Sequence, residues 1–329
     1  MKKWLILLLI VGLLAGYGFL AVRWYLLPDG QEETTAPTEA LTAPVFDPDD
    51  YTFPIEPGET CPPALLPDDY TLGATHAFVY DCGTGEMLFT LGDQEEPIRP
   101  ASITKLLTAY TALQHLDPGL VVTVGPEVGW IDPESSLASV KQGDQLTVEH
   151  LIEGMMLQSG NDAAYALAVA LGRQLLADPD QDAKTALAAG MEEINFQARL
   201  LGMDSTHFVT PDGDDEPGHE TTAADLVKLG LVCLQEPLIL HYAGLREDYV
   251  TFDSGKSLYW KNTNMLLHDS NLCYCPEAIG LKTGYTSLAG ACQLSLFRTG
   301  GRYLLVGVFG STNYETRATD SLYLYEQYR

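Results

Sequence analysis

The sequence predicts an α/β protein of the α+β kind, in which an antiparallel five-stranded sheet is built from both ends of one domain, flanked by helices, with an all-helical subdomain inserted between. Three observations carry this. Two short β-type runs, "HAFVYD" and "EMLFT", stand early and are joined by "CGTG" as a hairpin. Three more, "AIGLKTGYT", "GACQLSLFRT" and "RYLLVGVFG", stand late, the last two joined by the turn "TGGR". Between the two sets, apolar residues recur at helical spacing.

The chain has 329 residues and is 46% apolar, enough to bury a sizeable core. Residues 1–27 open with Lys2 and Lys3 and then run uncharged for the 19 residues 4–22, near the length of a spanning helix. Bulky Tyr17, Phe19 and Leu20 interrupt any small-x-small cleavage site, so this segment reads as an N-terminal transmembrane anchor rather than a cleaved signal. The two lysines keep the N-terminus in the cytoplasm, which sends the remainder outside: tethered to the membrane, or secreted if the span is cleaved. Residues 28–70 hold nine of the nineteen prolines, eleven Asp or Glu and no Lys or Arg, the composition of an extended acidic tether. Residues 71–329 form the folded domain, with the helical insert at roughly 115–245.

Within the domain, "PASITKLLTAY" begins a helix on which Ile103, Leu106, Leu107, Tyr110 and Leu113 share one apolar arc, with Thr104, Thr108 and Thr111 on the other side. "TVEHLIEGMMLQ" places Val148, Leu151, Ile152, Met155 and Met156 on one face, with Glu149 and Glu153 opposite. "QSGN" breaks that helix before the next, "DAAYALAVALG", whose first turn suits Asp162. Further helices are expected at 182–201 and 222–235, and "YETRATDSLYLYEQY" closes the chain as a helix.

The net charge of −27, from 45 acidic and 18 basic residues, excludes nucleic-acid binding and electrostatic adhesion to anionic lipid. Six cysteines in an exported chain invite disulfides, but fifteen pairings are open and the sequence selects none. Cys273 and Cys275 with His268 lack the second ligand pair of a zinc site, and Cys292 reads as a buried core thiol.

Ser102 and Lys105 lie one helical turn apart, a hydroxyl beside an amine. Serine is inert at neutral pH unless a base takes its proton, and lysine serves only if burial or a nearby cation lowers its pKa. Lys105 has no carboxylate among its helical neighbours, as that task requires. Ser159 and Asn161 stand on the interhelical turn "LQSGN". Lys282, Thr283 and Gly284 stand in "GLKTGYT", where a cation, a hydroxyl and a missing side chain let an anionic substrate lie along a strand. Each motif alone is common; the three occur in order, separated by 57 and 123 residues.

This set, with "VKQGDQLTVEHLIEGMMLQSGNDAAYALA", "LGMDSTHFVTPDG", "KNTNMLL" and "GLKTGYTSLAGACQLSLFRTGGRYLLVGVFG", resembles the low-molecular-mass penicillin-binding proteins that act as serine D-alanyl-D-alanine carboxypeptidases on peptidoglycan. The likeness runs from about Ala77 to the C-terminus and implies a β-lactamase/transpeptidase-like fold, with no cofactor and no metal. It implies stem peptides ending in D-Ala-D-Ala as substrate and β-lactam antibiotics as covalent inhibitors. Ser102 becomes the nucleophile, Lys105 its base, and Ser159 the relay to the departing amine. Asn161 holds the substrate amide, Lys282 polarises Ser159, Thr283 binds the terminal carboxylate and Gly284 leaves room for it. The backbone N–H groups of Ser102 and Tyr285 face the oxyanion. A DD-endopeptidase, a β-lactamase and a non-catalytic wall-binding or antibiotic-sensing protein share this pattern as alternatives.

Two departures from the family stand out. The chain stops just after its closing helix, without the second β-rich domain many members carry, which leaves anchoring to residues 1–27. "TPDGDD" replaces the usual asparagine-x-x-glycine-leucine, and no catalytic role is assigned to it. His207 and His219 are not read as a triad histidine, and Glu192 and Glu193 read as a solvated helix face rather than a deacylating base.

Overall fold

The computed structural model describes residues 70–252 and 254–329. The anchor and nearly all of the tether assigned to residues 1–70 therefore lie outside the described residues. Among those described, no helix is long and apolar enough to cross a membrane.

The five-stranded antiparallel sheet is built from both ends of the domain, as the sequence indicates. It comprises β1 (His76–Asp81), β2 (Glu86–Leu91), β7 (Ala278–Thr286), β8 (Gly290–Thr299) and β9 (Arg302–Ser311), in the order β2-β1-β9-β8-β7. His76 pairs with Phe309 and Asp81 with Leu304, so the first strand lies beside the last. Alternation decides the two faces. Val79, Leu304, Val306 and Val308 face the C-terminal helix α7 (Tyr314–Tyr328), where Tyr325 stacks on Phe297 at 4.1 Å. Phe78, Leu294, Leu296 and Leu305 point the other way, into the larger core shared with the inserted helices.

Helix α1 (Thr104–His115) leads into that insert, which contains α2 (Val148–Leu157), α3 (Asn161–Leu175), α4 (Ala183–Leu200), α5 (Ala223–Cys233) and α6 (Pro237–Gly244). It is not wholly helical. A three-residue ladder pairs β3 (Val121–Thr123) with β4 (Gln145–Thr147), and just beyond the insert β5 (Glu247–Thr251) and β6 (Ser257–Lys261) form a hairpin. The backbone N–H groups in these short segments find partners across the ladder that a single turn of helix could not supply.

Helix α1 runs through the core and is buried on more than its apolar arc: Thr104, Thr108 and Thr111 are also fully buried. Thr108 donates to the Pro211 carbonyl at 2.7 Å, and Thr104 donates to the Ala101 carbonyl at 2.9 Å. Glu153, expected on a solvated face, is buried near Asp248 and Glu149; burial first, and then these two carboxylates, push its pKa up to about 8. Cys275 is disulfide-bonded, whereas Cys82, Cys233, Cys273 and Cys292 are free and Cys292 is fully buried.

Candidate active site

The turn before α1 sets the first functional side chain. Ala101 has φ 49°, a left-handed conformation that costs a residue with a Cβ about 1–2 kcal/mol. A 3-10 turn, Ala101–Ile103, then leads into the helix. The conformation is held from a distant segment. His219 takes the Val209 N–H on Nδ1 at 3.1 Å, which assigns the proton to Nε2, and Nε2 donates to Thr104 Oγ1 at 2.9 Å. Gly213, at φ +92°, brings its turn so close that a Cβ there would lie 1.9 Å from the Ala101 carbonyl oxygen. His219 stacks on Phe208 at 4.9 Å, and burial lowers its pKa to about 4. It is a neutral strut beneath the Ser102 turn.

Lys105 is fully buried. Its Nζ lies 2.7 Å from Ser102 Oγ, 2.8 Å from Asn161 Oδ1 and 2.8 Å from the Asp212 carbonyl. Burial lowers its pKa to about 8, against the opposing charges of Asp212, Asp162 and Asp214. The lysine therefore does have acidic company, delivered by segments that no helical-neighbour rule could bring into view. Desolvation outweighs it. In its neutral form the amine carries a lone pair at hydrogen-bonding distance from the Ser102 hydroxyl, the arrangement that activates a serine.

Ser159 also sits in left-handed space, at φ 59°. Its turn is clamped by the buried Asp162 carboxylate, which accepts the N–H groups of Ala138 at 2.7 Å and Val140 at 3.0 Å. Lys282 Nζ donates to Ser159 Oγ and to the Thr283 carbonyl, both at 2.9 Å. Burial pushes the Lys282 pKa well below its ordinary value, with the Lys105 and Arg317 charges adding to the effect.

Strand β7 reaches the site through a bulge between Ala278 and Gly280. Thr283 Oγ1 lies 2.6 Å from Thr263 Oγ1. Gly284 also meets a constraint from within the protein. A Cβ there would stand 2.8 Å from the Ser102 backbone nitrogen and 2.8 Å from the Ala101 Cβ, so the glycine admits the strand against the Ser102 turn.

A cavity of about 650 Å³ opens between these walls and is lined by Ser102, Ser159, Asn161, Thr283, Gly284 and Tyr285. Lys105 and Lys282 lie behind it, bonded to the two serines. All eight residues singled out in the sequence thus meet at one place. Arg317 of α7, also in the lining, went unread in the sequence. It is 5% exposed, donates from Nη1 to the Gly284 carbonyl at 2.7 Å and lies over the Tyr314 ring, while its Nε has no hydrogen-bond partner. Burial lowers its pKa to about 10, so it stays charged at neutral pH. "YETRATD" offers no local signal, because only the docking of α7 on the sheet carries this arginine to the cleft. Glu192 is exposed and Glu193 bonds His115 at 2.9 Å.

A family model described as D-alanyl-D-alanine carboxypeptidase matches residues 64–313. The chain is 34% identical to D-alanyl-D-alanine carboxypeptidase DacD of Escherichia coli K12 over 257 residues, covering 73% of this chain and 59% of that protein. It is 27% identical to DacF of Bacillus subtilis 168, covering 74% of this chain and again 59% of the relative, so it spans about three fifths of the length of both. Among solved structures, the Streptomyces K15 DD-transpeptidase aligns with a TM-score of 0.69 at 27% identity, over 78% of this chain and 98% of that one. Penicillin-binding protein D2 of Listeria monocytogenes, solved in its cefotaxime-bound form, aligns with a TM-score of 0.63 at 30% identity, over 79% and 98%. The match extends over both walls of the cleft and the sheet that joins them, and the chain belongs to the D-alanyl-D-alanine carboxypeptidase family.

Proposed function

We propose that this protein is a serine DD-carboxypeptidase that removes the terminal D-alanine from peptidoglycan stem pentapeptides. The observation that carries the reading is the Ser102–Lys105 pair, 2.7 Å apart, at the floor of a cleft whose opposite wall supplies Lys282, Thr283 and Arg317. Neutral Lys105 takes the Ser102 proton as Oγ attacks the carbonyl of the penultimate D-alanine. The N–H groups of Ser102 and Tyr285 receive the oxyanion. Ser159, polarised by Lys282, passes a proton to the departing amine; D-alanine leaves, and water cleaves the acyl-enzyme and frees Ser102. Asn161 holds the substrate amide. Thr283, with the charged Arg317 beside it, receives the terminal carboxylate, and Gly284 keeps β7 within reach.

β-Lactams would acylate the same serine, a reading supported by the cefotaxime-bound relative. Action outside the cytoplasmic membrane, with residues 1–27 as the anchor, follows from the uncharged run after Lys3. Acyl transfer to an amine in place of water is the second reading, favoured by the likeness to a DD-transpeptidase.

Labelling with a fluorescent penicillin tests the nucleophile: the wild type should label and Ser102→Ala should not. Equal label on both would sink the assignment. Product analysis of a pentapeptide, with and without an added amine acceptor, separates hydrolysis from transfer.

A further inference from the structure

The β5–β6 hairpin has one face with a structural task and one without. Its inner face is anchored: Val250 and Trp260 are buried, the Trp260 indole N–H donates to the Ala138 carbonyl at 2.8 Å, and Phe252 lies against the indole. Its outer face carries Glu247, Tyr249 and Thr251 opposite Lys261, Tyr259 and Ser257, all exposed. Tyr249 is 74% exposed and Tyr259 42%, with ring centroids 4.6 Å apart. Around the rings stand hydrogen-bonding groups fixed in place: Tyr259 Oη donates to Glu247 Oε2 at 2.5 Å, and Thr251 and Ser257 share a bond of 2.8 Å.

We propose that this face is a saccharide platform that binds the glycan to which the stem peptides are attached, a reading that rests on the proposed carboxypeptidase function. A pyranose ring presents an apolar C–H face bordered by hydroxyls. Adjacent exposed aromatic rings flanked by a carboxylate, hydroxyls and an ammonium complement both parts. Glu247 and Lys261 cancel, so within a chain of net charge −27 the face itself is neutral, which suits an uncharged polymer better than an anionic lipid or a nucleic acid.

The platform is also continuous with the cleft. Four residues beyond Tyr259 the chain reaches Thr263, whose hydroxyl meets Thr283, a span of at most about 14 Å. A five-residue stem peptide spans at most about 18 Å when extended. A glycan whose stem occupies the cleft therefore lies within range of the tyrosines, at high effective concentration.

The test uses the full chain and two substrates, a free pentapeptide and uncrosslinked glycan strands bearing the same pentapeptide. For Tyr249→Thr/Tyr259→Thr, the rate on the free peptide should stay within about twofold, while kcat/KM on the strands falls about tenfold through KM and retention on peptide-free glycan is lost. Tyr249→Phe should keep both. Tyr249→Leu, which preserves an apolar cross-strand partner, should lose the strand preference. An unchanged strand rate in the double variant, or a Leu variant equal to wild type, overturns the platform, as does retention by wild type on an unrelated neutral polysaccharide equal to that on the glycan. Should the double variant lose both rates through a damaged hairpin, the Phe and Leu singles decide. Should wild type turn over neither substrate, the carboxypeptidase reading fails, and retention on peptide-free glycan still reports on the tyrosines.

Discussion

The two walls of the cleft each bury a lysine against a serine, yet the fields around them differ. On the helical wall Lys105 is compensated by Asp212, Asp162 and Asp214, and its pKa settles at about 8. On the strand wall Lys282 meets no such relief: Lys105 and Arg317 deepen the effect of burial. The same residue type at the same burial is thus tuned by charges lying tens of residues away in sequence. One wall can release and accept a proton near neutrality, whereas on the other burial and like charges drive Lys282 towards its neutral form and the positive charge offered to a carboxylate is that of Arg317.

The comparison can be broken or sharpened in order of expected effect. Lys105→Gln removes the base and should slow acylation by penicillin on the order of 10³-fold while the fold persists; stopped-flow labelling measures it, and a loss under tenfold would assign the proton transfer elsewhere. Gly284→Ala brings a Cβ to 2.8 Å from the Ser102 nitrogen and should misplace β7, with a loss of about 10²-fold in kcat/KM. The same variant should cost about 1–3 kcal/mol in chemical denaturation.

Arg317→Gln should raise KM about tenfold or more for peptides with a free terminal carboxylate, the loss expected for one charged hydrogen bond. The C-terminal amide should be unaffected. Equal loss on both would reduce the arginine to a support for the Gly284 carbonyl. The smallest effect is a displacement along the pH axis. If neutral Lys105 is the base, as proposed, the acylation rate should climb with pH through about 8. Asp212→Asn withdraws a negative charge that favours the ammonium form, so this limb should move to lower pH. A limb that stays in place would show that the Asp212 charge does not reach the lysine.

Much of this was legible in the sequence. The bounds of β7, β8 and α7 coincide with runs whose composition and flanking turns announce them. The three motifs converge because two sit at helix ends and the third lies along β7 beside them. What escaped was long-range. The threonines of α1 look like a polar face until residues 210–219 cover them, and Glu153 looks solvated until the β5–β6 hairpin folds over α2. The five residues "SLYWK" carry too little pattern to be told from loop. The sequence suggests a ligand-side reason for Gly284 but gives no sign that a backbone atom from about 180 positions earlier also crowds it.

The pairing of β1 with β9 has a consequence for the life of the chain. His76 finds its partner only at Phe309, and Tyr70 bonds Asp320 across 250 residues, so the sheet centre cannot close until the chain has been made past residue 300. The Ser159–Lys282 contact waits on β7, and the Lys105–Asp212 contact on the far part of the insert. A chain still emerging from the ribosome, or threaded unfolded through a membrane pore, therefore carries Ser102 as an ordinary alcohol. The bonds of Lys105 and Lys282 to their serines thus wait on segments far downstream of Ser102.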